Sequence, residues 1–197
     1  MELSTLVSAV AQSLAAVDSR CPPYVTRSGR EYQAGIGPYP ENVAMGLVVE
    51  ELNARGIGPC GQFIAYPCAP RQKCDVWLGN PAEWVVEVKM GRFRGDNGKP
   101  DDTGIKDLIS PFRRDRSALT DAVKLAQSGF AARKALLVYG FNDVDRPLLD
   151  AVVALDLLLQ ARSVVGGRYE ARFDGLRHPV FSSGRVVAWE ICRALPD

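Results

Sequence analysis

Cys74-Asp75-Val76-Trp77-Leu78, then Gly79-Asn80-Pro81-Ala82-Glu83, then Trp84-Val85-Val86-Glu87-Val88-Lys89 decide the reading of this chain. Two apolar runs of strand length around a glycine- and proline-bearing turn predict a β-hairpin. Asp75, Glu87 and Lys89 interrupt those runs, and chains seldom bury charges that have no partner or task. Strand alternation puts Glu87 and Lys89 on one face and Val86 and Val88 on the other. A turn centred on Pro81 pairs Gly79 with Glu83, Trp77 with Val85 and Asp75 with Glu87. Opposed residues lie about 4.5–5.5 Å apart, so two carboxylates and an ammonium converge on one spot. A two-residue turn at Asn80-Pro81 instead sends Asp75 to the opposite face, and the sequence leaves both turns open.

Carboxylates that close repel unless a cation sits between them. A divalent ion held by Asp75 and Glu87 would polarise a phosphoryl oxygen and acidify a bound water. Lys89 would orient or help deprotonate that water and offset phosphate charge, which together is the chemistry of phosphodiester hydrolysis. The same residues also suit an ordinary Glu87–Lys89 neighbour pair at a sheet edge, with Asp75 ending a strand.

The 197 residues, 47% hydrophobic and 24% charged, suit one globular domain with a substantial core and exclude a disordered or fibrous chain. No cationic region precedes the first apolar residues and no apolar run reaches bilayer length, so neither a signal peptide nor a membrane helix is expected, and a cytoplasmic location is. Cys21, Cys60, Cys68, Cys74 and Cys192 are odd in number and lack zinc-site spacing, so they are expected to be reduced. His178 is the only histidine and stands in Leu-Arg-His-Pro with no nucleophile motif, which leaves a Ser-His or Cys-His hydrolase poorly supported. The net charge of +1 hides a cation-rich stretch: Lys89, Arg92, Arg94, Lys99, Lys106, Arg113, Arg114 and Arg116. Such a stretch suits a polyanionic substrate and equally suits a solvated loop of mixed charge.

Hydrophobic periods set the remaining elements. Leu3, Leu6, Val7, Val10, Leu14 and Val17 recur at helical spacing. Cys21 to Pro40 reads as a long loop in which Arg27, Arg30 and Tyr32 could touch a ligand. Glu41 to Arg55 reads as a helix stopped by Gly56, with an inward stripe of Met45, Val48 and Leu52. Glu41 continues that stripe, Glu50 projects elsewhere and Glu51 lies at its margin, so Glu41 is the best-placed third acid; it also complements the helix dipole. Gln62 to Tyr66 reads as a strand, and Gly91 to Pro111 as an excursion whose Asp96, Asp101 and Asp102 are solvated. Ser117 to Gln127 reads as a helix with Leu119, Val123 and Ala126 inward and Asp121 and Lys124 beside them, followed by the strand Lys134 to Tyr139. Pro147 to Ala161 reads as an apolar helix, and Arg168 to Phe173 and Arg185 to Ile191 as strands. The last of these would extend the sheet or form a dimer face, with Trp189 in the core.

From Glu41 to Phe141 the order is helix, strand, strand, strand, helix, strand. With Asp75 in the second strand and Glu87-Val88-Lys89 in the third, this resembles the PD-(D/E)xK superfamily of restriction-endonuclease-like nucleases. The resemblance covers roughly the middle hundred residues, and Cys74 departs from it by standing where the motif has proline. It implies a mixed sheet flanked by helices in an αβββαβ core and a single nuclease-like α/β domain. It also implies Asp75 and Glu87 as ligands of magnesium or manganese, the Val88 carbonyl as an extra ligand, Glu41 as the helix acid and Lys89 as the water-orienting base. Asp121 and Lys124 fit the polar positions of the following helix, and Arg92, Arg94, Arg113, Arg114, Arg116 and Lys124 are candidate nucleic-acid contacts. A DNA endonuclease of restriction or defence type follows as the expectation, acting as a homodimer since one site cuts one strand. A catalytically inactive binding relative, or a nuclease subunit or effector of a larger complex, are the alternatives.

Overall fold

A computed structural model describes residues 1–143, 145 and 148–194. Helix α1 (Leu3–Asp18) buries the stripe its spacing predicts, from Leu3 through Val17. The following segment is not a plain loop: it contains a small antiparallel hairpin, β1 (Pro23–Val25) and β2 (Glu31–Ala34). These strands are short and partly exposed and carry no apolar alternation, so no period announced them. Next come α2 (Glu41–Ala54), β3 (Cys60–Tyr66), β4 (Ala69–Leu78) and β5 (Trp84–Gly91). The excursion after β5 holds a helix, α3 (Thr103–Ile109), which buries only Gly104 and Leu108 and has no side-chain cap. That is too little pattern to read from sequence.

Helix α4 (Ala118–Ala126) is capped by Ser117, whose hydroxyl accepts the Thr120 amide. It buries Ala118, Leu119, Ala122, Leu125 and Ala126, while Val123, expected inward, is only half-buried. The stripe is rotated because Asp121 takes an inward place beside the sheet. Strand β6 (Arg133–Phe141), helix α5 (Leu148–Arg162) and strands β7 (Ser163–Phe173) and β8 (Gly184–Ala194) follow. Pro147, the expected start of α5, lies outside the described residues. Helix α5 buries Leu148, Val152, Leu155 and Leu159 and leaves Leu149, Val153 and Leu157 exposed.

Six strands form one mixed sheet in the order β3-β4-β5-β6-β8-β7; β5 and β6 run parallel, and every other neighbouring pair is antiparallel. Helices cover both faces. On one, Val76, Leu78, Val86, Val88, Leu137 and Tyr139 pack with α1 and α2; on the other, Val85, Leu136, Val138, Val187 and Trp189 pack with α4 and α5. The result is a mixed α/β fold with a six-stranded sheet. Strand β8 lies inside that sheet with Val186 to Trp189 fully buried, so it extends the sheet and is not a dimer face. The Trp189 indole N–H donates to Asp156 Oδ1 at 2.7 Å. Among the described residues no helix is long and apolar enough to cross a membrane.

Candidate active site

Strands β4 and β5 pair Leu78 with Trp84, Trp77 with Val85 and Val76 with Val86, the register of a turn centred on Pro81. The two-residue turn is thereby ruled out. Glu83 N–H donates to the Leu78 carbonyl at 2.7 Å to close the turn. Gly79 is required there, since its φ is +89° and a Cβ would lie 2.9 Å from the Glu83 nitrogen.

The ladder stops at Val76, one residue short of the expected Asp75–Glu87 pair. Cys74 packs on the α4 side of the sheet and Val76 on the α2 side, so alternation breaks at Asp75. Released from the ladder, Asp75 Oδ2 accepts the Val88 amide hydrogen at 2.8 Å. Met90 N–H, two residues on along the same edge of β5, donates to Glu41 Oε2 from the first turn of α2. A strand residue presents its N–H and C=O to the same side. The Val88 carbonyl therefore lies along the edge that Asp75 and Glu41 cap.

Glu87 and Lys89 project together from the α4 face. Lys124 Nζ stands 2.8 Å from Glu87 Oε1 and 2.9 Å from Asp121 Oδ1. Lys89 Nζ stands 2.9 Å from Asp121 Oδ2, so Asp121 holds both ammonium groups. The Tyr66 hydroxyl donates to Glu87 Oε1, and the Lys124 ammonium lies 5.1 Å from the centre of the Tyr66 ring.

Burial raises the Glu87 pKa to about 8, with the charges of Asp75 and Asp121 adding to it and Lys124 opposing. Burial likewise lifts Glu41 to about 7, against the pull of Lys89 and the Met90 amide. For Lys89, burial disfavours the charged form, but Asp121 and Glu41 outweigh it and the pKa rises; Lys124 follows the same balance through Glu87 and Asp121. Burial and the adjacent Glu87 push the Tyr66 hydroxyl far up. The site thus holds more acid than its burial favours, and two ammonium groups carry the compensation.

The donors gathered here are hard oxygens: carboxylates of Asp75, Glu41 and Glu87 and the Val88 carbonyl. No imidazole is among them, and the buried Cys74 thiol, beside Glu87 and Asp75, is held protonated by a raised pKa. Such a donor set matches magnesium or manganese in chemistry. Among the described residues, however, no group of three or more His, Cys, Asp or Glu side chains is gathered as a metal cage.

The other acids of α2 stand apart: Glu50 is exposed, and Glu51 is buried and paired with Arg20. Two expected nucleic-acid contacts are otherwise engaged. Arg94 pairs with Asp143 at 2.8 Å and with Asp145, and Arg92 donates to the Gly37 carbonyl at 2.9 Å. Lys124 lies inside the site, paired with Glu87 and Asp121. Arg113, Arg114 and Arg116 are exposed just ahead of α4. Arg30, on the N-terminal hairpin, pairs with Asp96 at 3.1 Å. All five cysteines are free, and His178 is fully buried and stacked on Phe181. Tyr66 was missed as a site residue because nothing local distinguishes it from a core tyrosine.

The chain matches no protein-family model, no curated protein and no solved structure.

Proposed function

We propose that this chain is a magnesium-dependent endonuclease that hydrolyses DNA phosphodiester bonds, with a restriction-endonuclease-like αβββαβ core and a role of restriction or defence type. The observation that carries the reading is the convergence of Asp75, Glu41, Glu87 and Lys89 on one stretch of β5. Magnesium, with manganese as substitute, would be held by Asp75, Glu87, Glu41 and the Val88 carbonyl, and would supply Lewis-acid polarisation and an acidified water. Lys89, braced by Asp121, orients the attacking water and offsets phosphate charge. Lys124 and Tyr66 fix the Glu87 carboxylate. Exposed Arg113, Arg114 and Arg116 attract the phosphate backbone. A homodimer would bring a second site to the second strand of a duplex, and the cytoplasm is where such a substrate is met.

One observation favours a second reading. Lys124 already pairs with Glu87 and Asp121, and Lys89 with Asp121, so two of the site's four carboxylates have an ammonium partner without a metal ion. That suits a non-catalytic relative that binds nucleic acid or protein, or a subunit or effector of a larger complex.

Incubation with supercoiled DNA, linear DNA and RNA, in magnesium or chelator, separates these. Magnesium-dependent DNA cleavage that disappears in Asp75→Ala, Glu87→Ala and Lys89→Ala supports the nuclease. Cleavage surviving in all three ends the proposal, and no cleavage by the unaltered chain favours the second reading.

A further inference from the structure

Among the described residues only Phe63 and Arg116 hold a left-handed backbone without being glycine, with φ of +65° and +49°. For a bulky residue this conformation is strained, and strain of this kind persists where the surroundings enforce it, often at functional sites. Phe63 sits in the edge strand β3. Gln62 pairs with Val76 and Ile64 with Cys74, which puts Phe63 directly across from Asp75. The two irregularities coincide: strand alternation breaks at Asp75 on β4 and the backbone turns left-handed at Phe63 on β3. Yet the residue stays 45% exposed.

A second exposed aromatic stands ahead of α4. Phe112 is 60% exposed, and Arg114 lies over its ring at 5.6 Å. It opens the segment Phe112-Arg113-Arg114-Asp115-Arg116, which a Ser110–Asp115 hydrogen bond and a Lys106–Asp115 ion pair at 3.1 Å tie down. The strained Arg116 ends this segment, and Ser117 then caps α4. Asp121 follows one helical turn later, about 6 Å along the axis. Phe63 is thus across the β3–β4 register from Asp75, and Phe112 opens the exposed arginine segment that leads into the helix carrying Asp121 and Lys124.

A base pair inside a duplex offers its faces to its neighbours and not to a protein ring. A single strand offers every base face, and aromatic platforms beside guanidinium groups are how proteins hold it. We infer that the site takes single-stranded or unpaired DNA, with one base stacked on Phe63 beside the scissile phosphate, a second on Phe112, and phosphates on Arg113, Arg114 and Arg116. This rests on the nuclease reading for the identity of the polymer. It refines that reading towards a strand-specific defence enzyme and away from restriction of intact duplex.

The test is fluorescence anisotropy of a labelled single-stranded oligonucleotide and of the blunt duplex of the same sequence, in chelator, followed by cleavage in magnesium. The expected result is tighter binding of the single strand, weakened roughly 5- to 150-fold by Phe63→Gly, and similarly by Phe112→Ala, and retained by Phe63→Trp. Phe63→Gly also relieves the left-handed backbone, which offsets the loss of the partly covered ring, so its melting temperature should stay within about 2–4 °C of the unaltered chain's, which separates lost stacking from lost folding. Equal binding of both forms, or a Phe63→Gly chain that holds the single strand as tightly as the unaltered one, overturns the inference. Duplex cleavage without single-strand preference leaves the nuclease reading standing and removes this one. Single-strand preference without any cleavage does the reverse, and binding of neither form removes both.

Discussion

Asp75 Oδ2 accepts the Val88 amide hydrogen at 2.8 Å, so the residue that breaks the β4 ladder caps the edge of β5 that β4 leaves open. The carboxylate thereby does two jobs that substitution can separate. Asp75→Asn keeps a carbonyl oxygen to accept from Val88 and should fold with a stability near that of the unaltered chain. Asp75→Ala leaves the amide without its acceptor and should cost about 1–3 kcal/mol in chemical denaturation. Both should lose DNA cleavage. Cleavage by Asp75→Asn at the unaltered rate would show that the negative charge is not used in the reaction.

Asp121 braces two lysines, with Lys89 and Lys124 each 2.9 Å from one of its oxygens. Removing it takes from Lys89 its close ion pair and leaves only the more distant charges of Glu41 and Asp75, while Lys124 keeps Glu87 as partner. Asp121→Ala should therefore destabilise by about 1–3 kcal/mol, below the value for a fully buried pair because both lysines keep some exposure to water. Asp121→Asn retains the packing and one acceptor. It should fold well yet lower kcat more than KM, because it loosens the lysine and leaves substrate contacts in place. A change confined to KM would move Asp121 from positioning to substrate binding.

Much of this site was legible because its signals were local. Carboxylates inside apolar strands and i, i+2 alternation sufficed to set Glu87 and Lys89 on one face, and the proline-bearing turn offered Trp77 opposite Val85 as one of two registers, of which the structure takes that one. The break at Asp75 was not legible, because ladder alternation extrapolated through it while the chain followed the Val88 amide instead. Tyr66, Lys124 and Glu87 meet across β3, α4 and β5, and spacing along the sequence carries no trace of that meeting. The ion pairs of Arg94 were not legible for the same reason: its partners Asp143 and Asp145 lie about fifty residues away in the sequence, beyond any local charge pattern. The hairpin β1–β2 and helix α3 were missed because each buries too few side chains to leave a period.

If Asp75, Glu41 and Glu87 hold a divalent ion, the folded chain binds it and the unfolded chain does not. Magnesium at about 100 times its dissociation constant should then stabilise by about 2.7 kcal/mol, raising the melting temperature by about 5–11 °C over the chelated protein. Glu87→Gln should lose most of that shift, since a neutral amide cannot replace the carboxylate's charge. An equal shift in both chains would mean that the ion binds elsewhere.

His178 supplies a pH test outside the site. It is fully buried, its Nδ1 accepts the Val180 amide at 3.2 Å and its ring stacks on Phe181 at 4.7 Å. Burial lowers its pKa, opposed by the charges of Asp96 and Asp18. A histidine whose pKa is lower in the folded state takes up its proton more readily when the chain unfolds. Its share of the stability is therefore full above its unfolded pKa, about 6.5, and is lost as pH falls through that value towards the folded pKa. His178→Asn keeps an acceptor for Val180 and cannot titrate. It should be less stable at every pH through lost packing, but the gap from the unaltered chain should narrow between about pH 7.5 and about pH 5. Denaturant titrations of both chains across that range read the gap directly, and a gap that stays constant would exclude a buried neutral imidazole at this position.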